Sequence, residues 1–139
     1  MLIESLIVEK INKYNDGLGI IDLNFENSSE KNICIYKSAI DGKSSRRHDA
    51  DIIGTDGRRL ERPPLGIVLS EDVETIIFTP GDRARLKLDL SGLYNQQNLF
   101  EDQYWFRPLI IALNCENENE ADSHVILTSV PILMSDFVK

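Results

Sequence analysis

An all-β, immunoglobulin-like antiparallel β-sandwich of about eight strands is the fold class this sequence predicts, and three observations carry the prediction. Between residues 83 and 90, Ala84, Leu86, Leu88 and Leu90 alternate with Arg83, Arg85, Lys87 and Asp89, the period-2 pattern of a half-buried strand. Short apolar runs recur between turn signals along the whole 139 residues, which is the spacing of a sandwich or barrel. Nothing between those runs has the length and period of a crossover helix, so a parallel α/β sheet is excluded.

Each element follows from local chemistry. Leu2 to Ile11 is rich in Leu, Ile and Val and reads as a strand, with a helix as the minority reading. From Gly19 to Glu26, Ile21, Leu23 and Phe25 alternate with Asp22, Asn24 and Glu26, and residues 27–32 (NSSEKN) supply turn chemistry. Shorter strands are expected at Ile33 to Tyr36 and Asp51 to Ile53. The second leads into Thr55, Asp56, Gly57 and Arg58, whose Asp-Gly pair suits a tight hairpin, and Pro63 and Pro64 stop whatever strand follows. Glu74 to Phe78 is the next strand, and the turn at Thr79, Pro80, Gly81 and Asp82 delivers the chain to the alternating strand at Arg83. Ser91 to Leu99 is the one place for a helical turn, with Ser91 as its cap. Tyr104 to Cys115 is apolar on both faces, as expected of a central strand buried between layers; His124 to Ile132 follows after the acidic loop at 116–120.

A single domain spanning 1–139 fits the length, and 42% hydrophobic residues suffice for one core. With 23 acidic against 15 basic residues the net charge is −8, which repels phosphate backbones and argues against nucleic acid. The opening MLIESLIVEK carries Glu4 and Glu9 and lacks a basic n-region, so it does not read as a secretory signal, and no apolar run is long enough to span a membrane. A cytoplasmic location is therefore expected. There Cys34 and Cys115, even on neighbouring strands, would stay core thiols.

The order of features from about Leu18 to Phe106 resembles the non-catalytic, immunoglobulin-like domain that precedes the peptidase in deuterolysin-type metallopeptidases. The residues that carry the resemblance are Phe25, Glu26 and Asn27 ending the early strand, the Asp51 to Arg58 hairpin, the Thr79 to Asp82 turn, and above all Leu88, Asp89, Leu90, Ser91, Gly92, Leu93 and Tyr94. All-β intracellular proteinase inhibitors share a looser form of the turn-and-strand part. The resemblance implies a sandwich that serves a protease or opposes one. The zinc-binding HExxH helix of the peptidase itself has no counterpart, because His48 is followed by Asp49 and Ala50, and His124 by Val125 and Ile126.

No cofactor or metal is expected. Two His and two Cys at distant positions fall short of a closed zinc site, and the imidazoles read as surface groups. Cys34 sits in the apolar run Ile33 to Tyr36, where a thiol with His48 or His124 as base would be inert. Asp49 with Asp51, and Glu71 with Asp72, match no calcium-loop pattern and read as solvated loops. Gly17 and Gly19 precede a strand, so they form no phosphate loop. The chain is read as no enzyme.

Charge segregation is the most informative feature. Residues 37–87 carry ten basic and nine acidic groups, whereas residues 88–139 carry two and eight. Arg46, Arg47, Arg58, Arg59 and Arg62 flank predicted loops and form the candidate partner-binding rim; solubilising charge at turns and edges is the alternative. The polar stretch Ala39 to Asp49 reads as a long binding loop. Trp105, between Tyr104 and Phe106, reads as a core anchor. The expected function is a non-catalytic protein-binding module, an inhibitor or immunity-type protein against a protease or toxin, acting as monomer or homodimer. Its alternative is a structural subunit of a secretion or phage assembly joined through sheet edges.

Overall fold

The computed structural model describes residues 2–15, 17–61, 74–94, 99–101, 103–115 and 121–138. Their strands are β1 (Leu2–Glu4), β2 (Leu6–Tyr14), β3 (Gly17–Glu26), β4 (Ile33–Tyr36), β5 (His48–Gly54), β6 (Thr75–Phe78), β7 (Arg83–Asp89), β8 (Tyr104–Cys115), β9 (Ala121–Thr128) and β10 (Ile132–Leu133). A short helix, α1 (Lys37–Asp41), follows β4, and a 3-10 turn at Met134–Asp136 follows β10. The all-β sandwich is present: β2, β3 and β7 form a three-stranded sheet, and the other seven strands form the second.

The long β8 organises the larger sheet. Ile110 pairs with His48 of β5 and with Leu127 of β9, so those strands lie on opposite edges of β8. By the same register β10 continues the β9 edge at Trp105 and Phe106, and β4 continues the β5 edge at Leu113 and Asn114. One pair departs from the antiparallel pattern, since β1 runs parallel to β9.

The opening segment is two strands rather than one, and neither is helical. At Ser5 the chain passes between sheets: its N–H donates to the Thr128 carbonyl at 3.0 Å, while its carbonyl accepts from the Glu26 N–H at 3.1 Å. In the small sheet, Ile21, Leu23 and Phe25 stand opposite Leu88, Leu86 and Ala84. Leu86, Leu88 and Leu90 are all buried, each contributing on the order of 1.5–3 kcal/mol. Phe25 of the small sheet meets Phe78 of the large one edge to face, with centroids 5.4 Å apart. Beside them the buried Asn27 ties the sheets: its amide donates to the Phe78 carbonyl at 2.8 Å and the Lys31 carbonyl at 2.9 Å, and its N–H donates to the Asp82 carbonyl.

Several expectations need correction. Cys34 and Cys115 form a disulfide, with Cα atoms 6.0 Å apart, rather than standing as thiols. They fall on neighbouring strands because β4 reaches the end of β8. The stretch from Ala39 to Asp49 is not one long loop. Lys37–Asp41 is helical and buries Ser38 and Ala39, Gly42 closes the helix at φ 74°, and β5 already begins at His48. His48 is fully buried, so only His124 is a surface imidazole. Residues 91–94 form a turn in which Gly92 and Tyr94 take positive φ, so Ser91 does not cap a helix; residues 95–98 of the expected helical stretch lie outside the described residues. The expected stops at Pro63 and Pro64, the carboxylates Glu71 and Asp72, and the loop 116–120 lie outside the described residues.

Candidate protein-binding face

Strand geometry decides which side chains meet a partner. Along β8, Tyr104, Phe106, Pro108, Ile110 and Ala112 are buried, so the alternate residues Trp105, Arg107, Leu109, Ile111 and Leu113 point away from the core. The expectation that both faces of β8 are covered by layers fails at Trp105. Trp105 is 45% exposed, which overturns its reading as a core anchor. Leu109, Ile111 and Leu113 are half-buried.

Neighbouring strands extend this outward face in register. Trp105 stands between Ile53 of β5 and Leu133 of β10, both half-buried. Two residues along β8, Arg107 faces Asp51, donating from Nε at 3.0 Å and from Nη2 at 2.9 Å. Farther along, Ile111 faces Ile126 of β9, and Ile126 faces Leu2 of β1. Leu2 is half exposed. The result is an apolar strip closed at one end by a tryptophan and crossed by the Asp51–Arg107 row, with Asp49 opposite Leu109 on the β5 side.

The arginines singled out from the sequence are not gathered into one rim. Arg47 stands where β5 begins, its guanidinium stacked 3.6 Å from the Tyr36 ring centroid, and Arg46 beside it is exposed. Arg59 sits at the far end, bridged to Ile53, six residues and about 20 Å along the strand. Its Nε lies 3.4 Å from Asp51. Arg58 pairs with Asp56 across the hairpin, where Gly57 takes φ 86° and the Gly54 N–H donates to the Arg58 carbonyl at 2.8 Å. Arg62 lies outside the described residues. The two clusters bracket the apolar strip rather than meet.

The candidate chemistry resolves into structural bonds. Asp51, with its side chain only 12% exposed, is held between Arg107 and Arg59. Asp49 accepts from the Tyr94 hydroxyl at 2.5 Å and from the Ala50 N–H at 2.8 Å. Cys34 is spent in the disulfide. Among the described residues no group of three or more His, Cys, Asp or Glu is placed to hold a metal ion. None of their helices is long and apolar enough to cross a membrane.

Trp105 is the residue that sequence reasoning missed. The signal was present, because an apolar pattern on both faces of a strand marks either a covered layer or an interface; only the sheet count separates the two. Comparison with protein-family models, with curated proteins and with solved structures finds no match to this chain.

Proposed function

We propose that this chain is a non-catalytic protein-binding module whose partner covers the outer face of the seven-stranded sheet. The observation that carries the reading is the Ile53–Trp105–Leu133 row, with Trp105 exposed on a rigid central strand and Arg107 one step away. Aromatic and Arg side chains are the types that dominate binding energy at interfaces, where a buried apolar centre is ringed by polar groups. The partner this face fits has an apolar centre and carboxylates at its rim, since Arg47 and Arg59 stand at opposite ends of the strip.

An inhibitor or immunity-type role against a protease or toxin is the form we give this module. Its support is the resemblance to protease-accessory and inhibitor sandwiches, together with side chains whose polar atoms are committed to structural bonds. The Cys34–Cys115 bond weighs towards an oxidising compartment and against the cytoplasm.

Trp105 is the chain's only tryptophan, so its fluorescence reports on this face alone. In the free protein its emission should be red-shifted and open to acrylamide quenching. A cognate partner should shift the emission to the blue, protect it from quenching, and lose at least about 2 kcal/mol of binding to Trp105→Ala, as hot-spot truncations do. A partner bound with unchanged quenching and unchanged affinity for Trp105→Ala would move the interface elsewhere.

A further inference from the structure

The small sheet carries a second surface, at the open edge of β7. Among the described residues only β3 pairs with β7 in that sheet. The register fixes which backbone groups face the open side. The Leu90 N–H donates to the Gly19 carbonyl at 3.0 Å and the Asn27 N–H to the Asp82 carbonyl at 2.9 Å, so even-numbered residues of this strand make the hydrogen-bonded pairs with β3. The odd-numbered residues Arg83, Arg85, Lys87 and Asp89 therefore direct their N–H and C=O groups outwards. Three of these same residues carry exposed cations.

One end of this edge is already closed. Asp89 bridges to Ser44, whose hydroxyl donates to it at 3.1 Å, and Gly42 packs so tightly that a Cβ there would lie 3.3 Å from Lys87 Cβ. Among the described residues the stretch left open is Arg83 to Arg85. Arg83 pairs with Glu26 at 2.6 Å, whereas Arg85 faces Asn24, whose amide donates to Glu9. Among the described residues neither Arg85 nor Lys87 makes an ion pair. Arg85 also lines two grooves, one of about 580 Å³ towards Ile7 and one of about 550 Å³ towards Ile40.

We propose that the open edge of β7 accepts an extended acidic segment of a partner protein as a fourth strand of the small sheet. Strand addition supplies backbone hydrogen bonds, and carboxylates at alternate positions fall beside Arg83 and Arg85, where opposite charges on paired strands attract. Cations on an edge repel a second basic edge, so the same row that blocks self-pairing selects an acidic strand. In a chain of net charge −8, this row is a local inversion of the field. The inference is independent of the large-sheet face.

The probe is a capped peptide in which Glu alternates with Val and Thr, titrated into the intact protein and followed by amide chemical shifts at low and high salt. Saturable binding is expected, with shifts centred on Arg83 to Arg85. Affinity should fall at least about tenfold for Arg85→Glu, with salt weakening the wild-type interaction. A peptide N-methylated at the amides that face the edge should lose as much, while Trp105→Ala should bind unchanged. Arg85→Gln, neutral, polar and shorter, guards against a folding defect in the charge reversal and should weaken binding in the same direction. The proposal is overturned by absence of saturable binding, by equal binding of a peptide with its Glu residues contiguous, by insensitivity to N-methylation, or by shifts centred on Arg46 and Arg47.

Discussion

Removing the Cys34–Cys115 bond is the perturbation with the largest expected effect on this fold. The two cysteines are 81 residues apart, and closing a loop of that length removes about 4.5 kcal/mol of chain entropy from the unfolded state on the loop-closure model. Domains of this size are stable by about 5–15 kcal/mol, so the bond accounts for about 30% of the total or more. With an unfolding entropy of about 2.1 cal/mol/K per residue over 139 residues, the midpoint should fall by roughly 15 °C. The loss should also be felt locally. Among the described residues β4 pairs with β8 only at Ile33 and Cys34, and β6 has only β4 beside it. Thiol titration under native and denaturing conditions, then thermal unfolding of Cys34→Ala/Cys115→Ala with and without reductant, measures the first effect. Amide hydrogen exchange measures the second, and protection should drop at Ile33–Tyr36 and Thr75–Phe78 before it drops in β2, β3 and β7. Two reactive thiols in the unreduced protein, or a loss below about 1 kcal/mol against the typical 2–5, would refute the reasoning.

Leu88→Ala should cost about 2–5 kcal/mol in chemical denaturation, because Leu88 is fully buried opposite Ile21; a cost below about half a kilocalorie, typical of a surface site, would show the register of β7 to be wrong. Asn27→Ala should cost about 1–3 kcal/mol, since it strips the buried Phe78 carbonyl of the Asn27 amide that bonds it; Asn27→Asp should not rescue it, as a carboxylate cannot donate to either carbonyl, and rescue would show that the donor role is unimportant.

The sandwich was legible where one face of a strand is wet. In β7 and β3 the alternation of Leu with Arg, and of Ile, Leu and Phe with Asp, Asn and Glu, gives period, length and orientation at once, and the observed strands begin and end within about two residues of the expected ones. Legibility failed where the deciding fact lies in tertiary space. Ser5 carries no turn signal, yet it ends one strand and begins another because its backbone groups bond to different sheets. Asn27 reads as a turn residue, and its inter-sheet bond to Phe78 spans 51 positions. The thiol expectation failed because the compartment was inferred from the lack of a secretory signal, whereas the pairing of the cysteines depends on where β4 meets β8. The arginines were grouped by their neighbourhood in sequence, although the extended strand between Arg47 and Arg59 holds them about 20 Å apart.

The two sheets turn opposite kinds of surface to the outside, and that contrast is the physical basis for assigning them different roles. On β3 and β7 of the small sheet the outward residues are Asp22, Asn24 and Glu26 paired with Lys87, Arg85 and Arg83, a hydrated surface on which Ile7 of β2, opposite Asn24, is an exposed apolar exception. On the large sheet the outward residues of the central strand are Trp105, Leu109, Ile111 and Leu113, interrupted only by Arg107. A sequence under no demand but solubility would pattern both faces alike, because each lies on the solvent side of the same two-layer sandwich. Contiguous apolar surface on a rigid sheet marks an interaction site. The small sheet, hydrated along β3 and β7, gains a partner through unpaired backbone groups at its edge, and the large sheet gains one by covering its face. A partner that engages both must therefore present an apolar surface to one sheet and an extended acidic strand to the other, and single substitutions at Trp105 and Arg85 separate the two contributions.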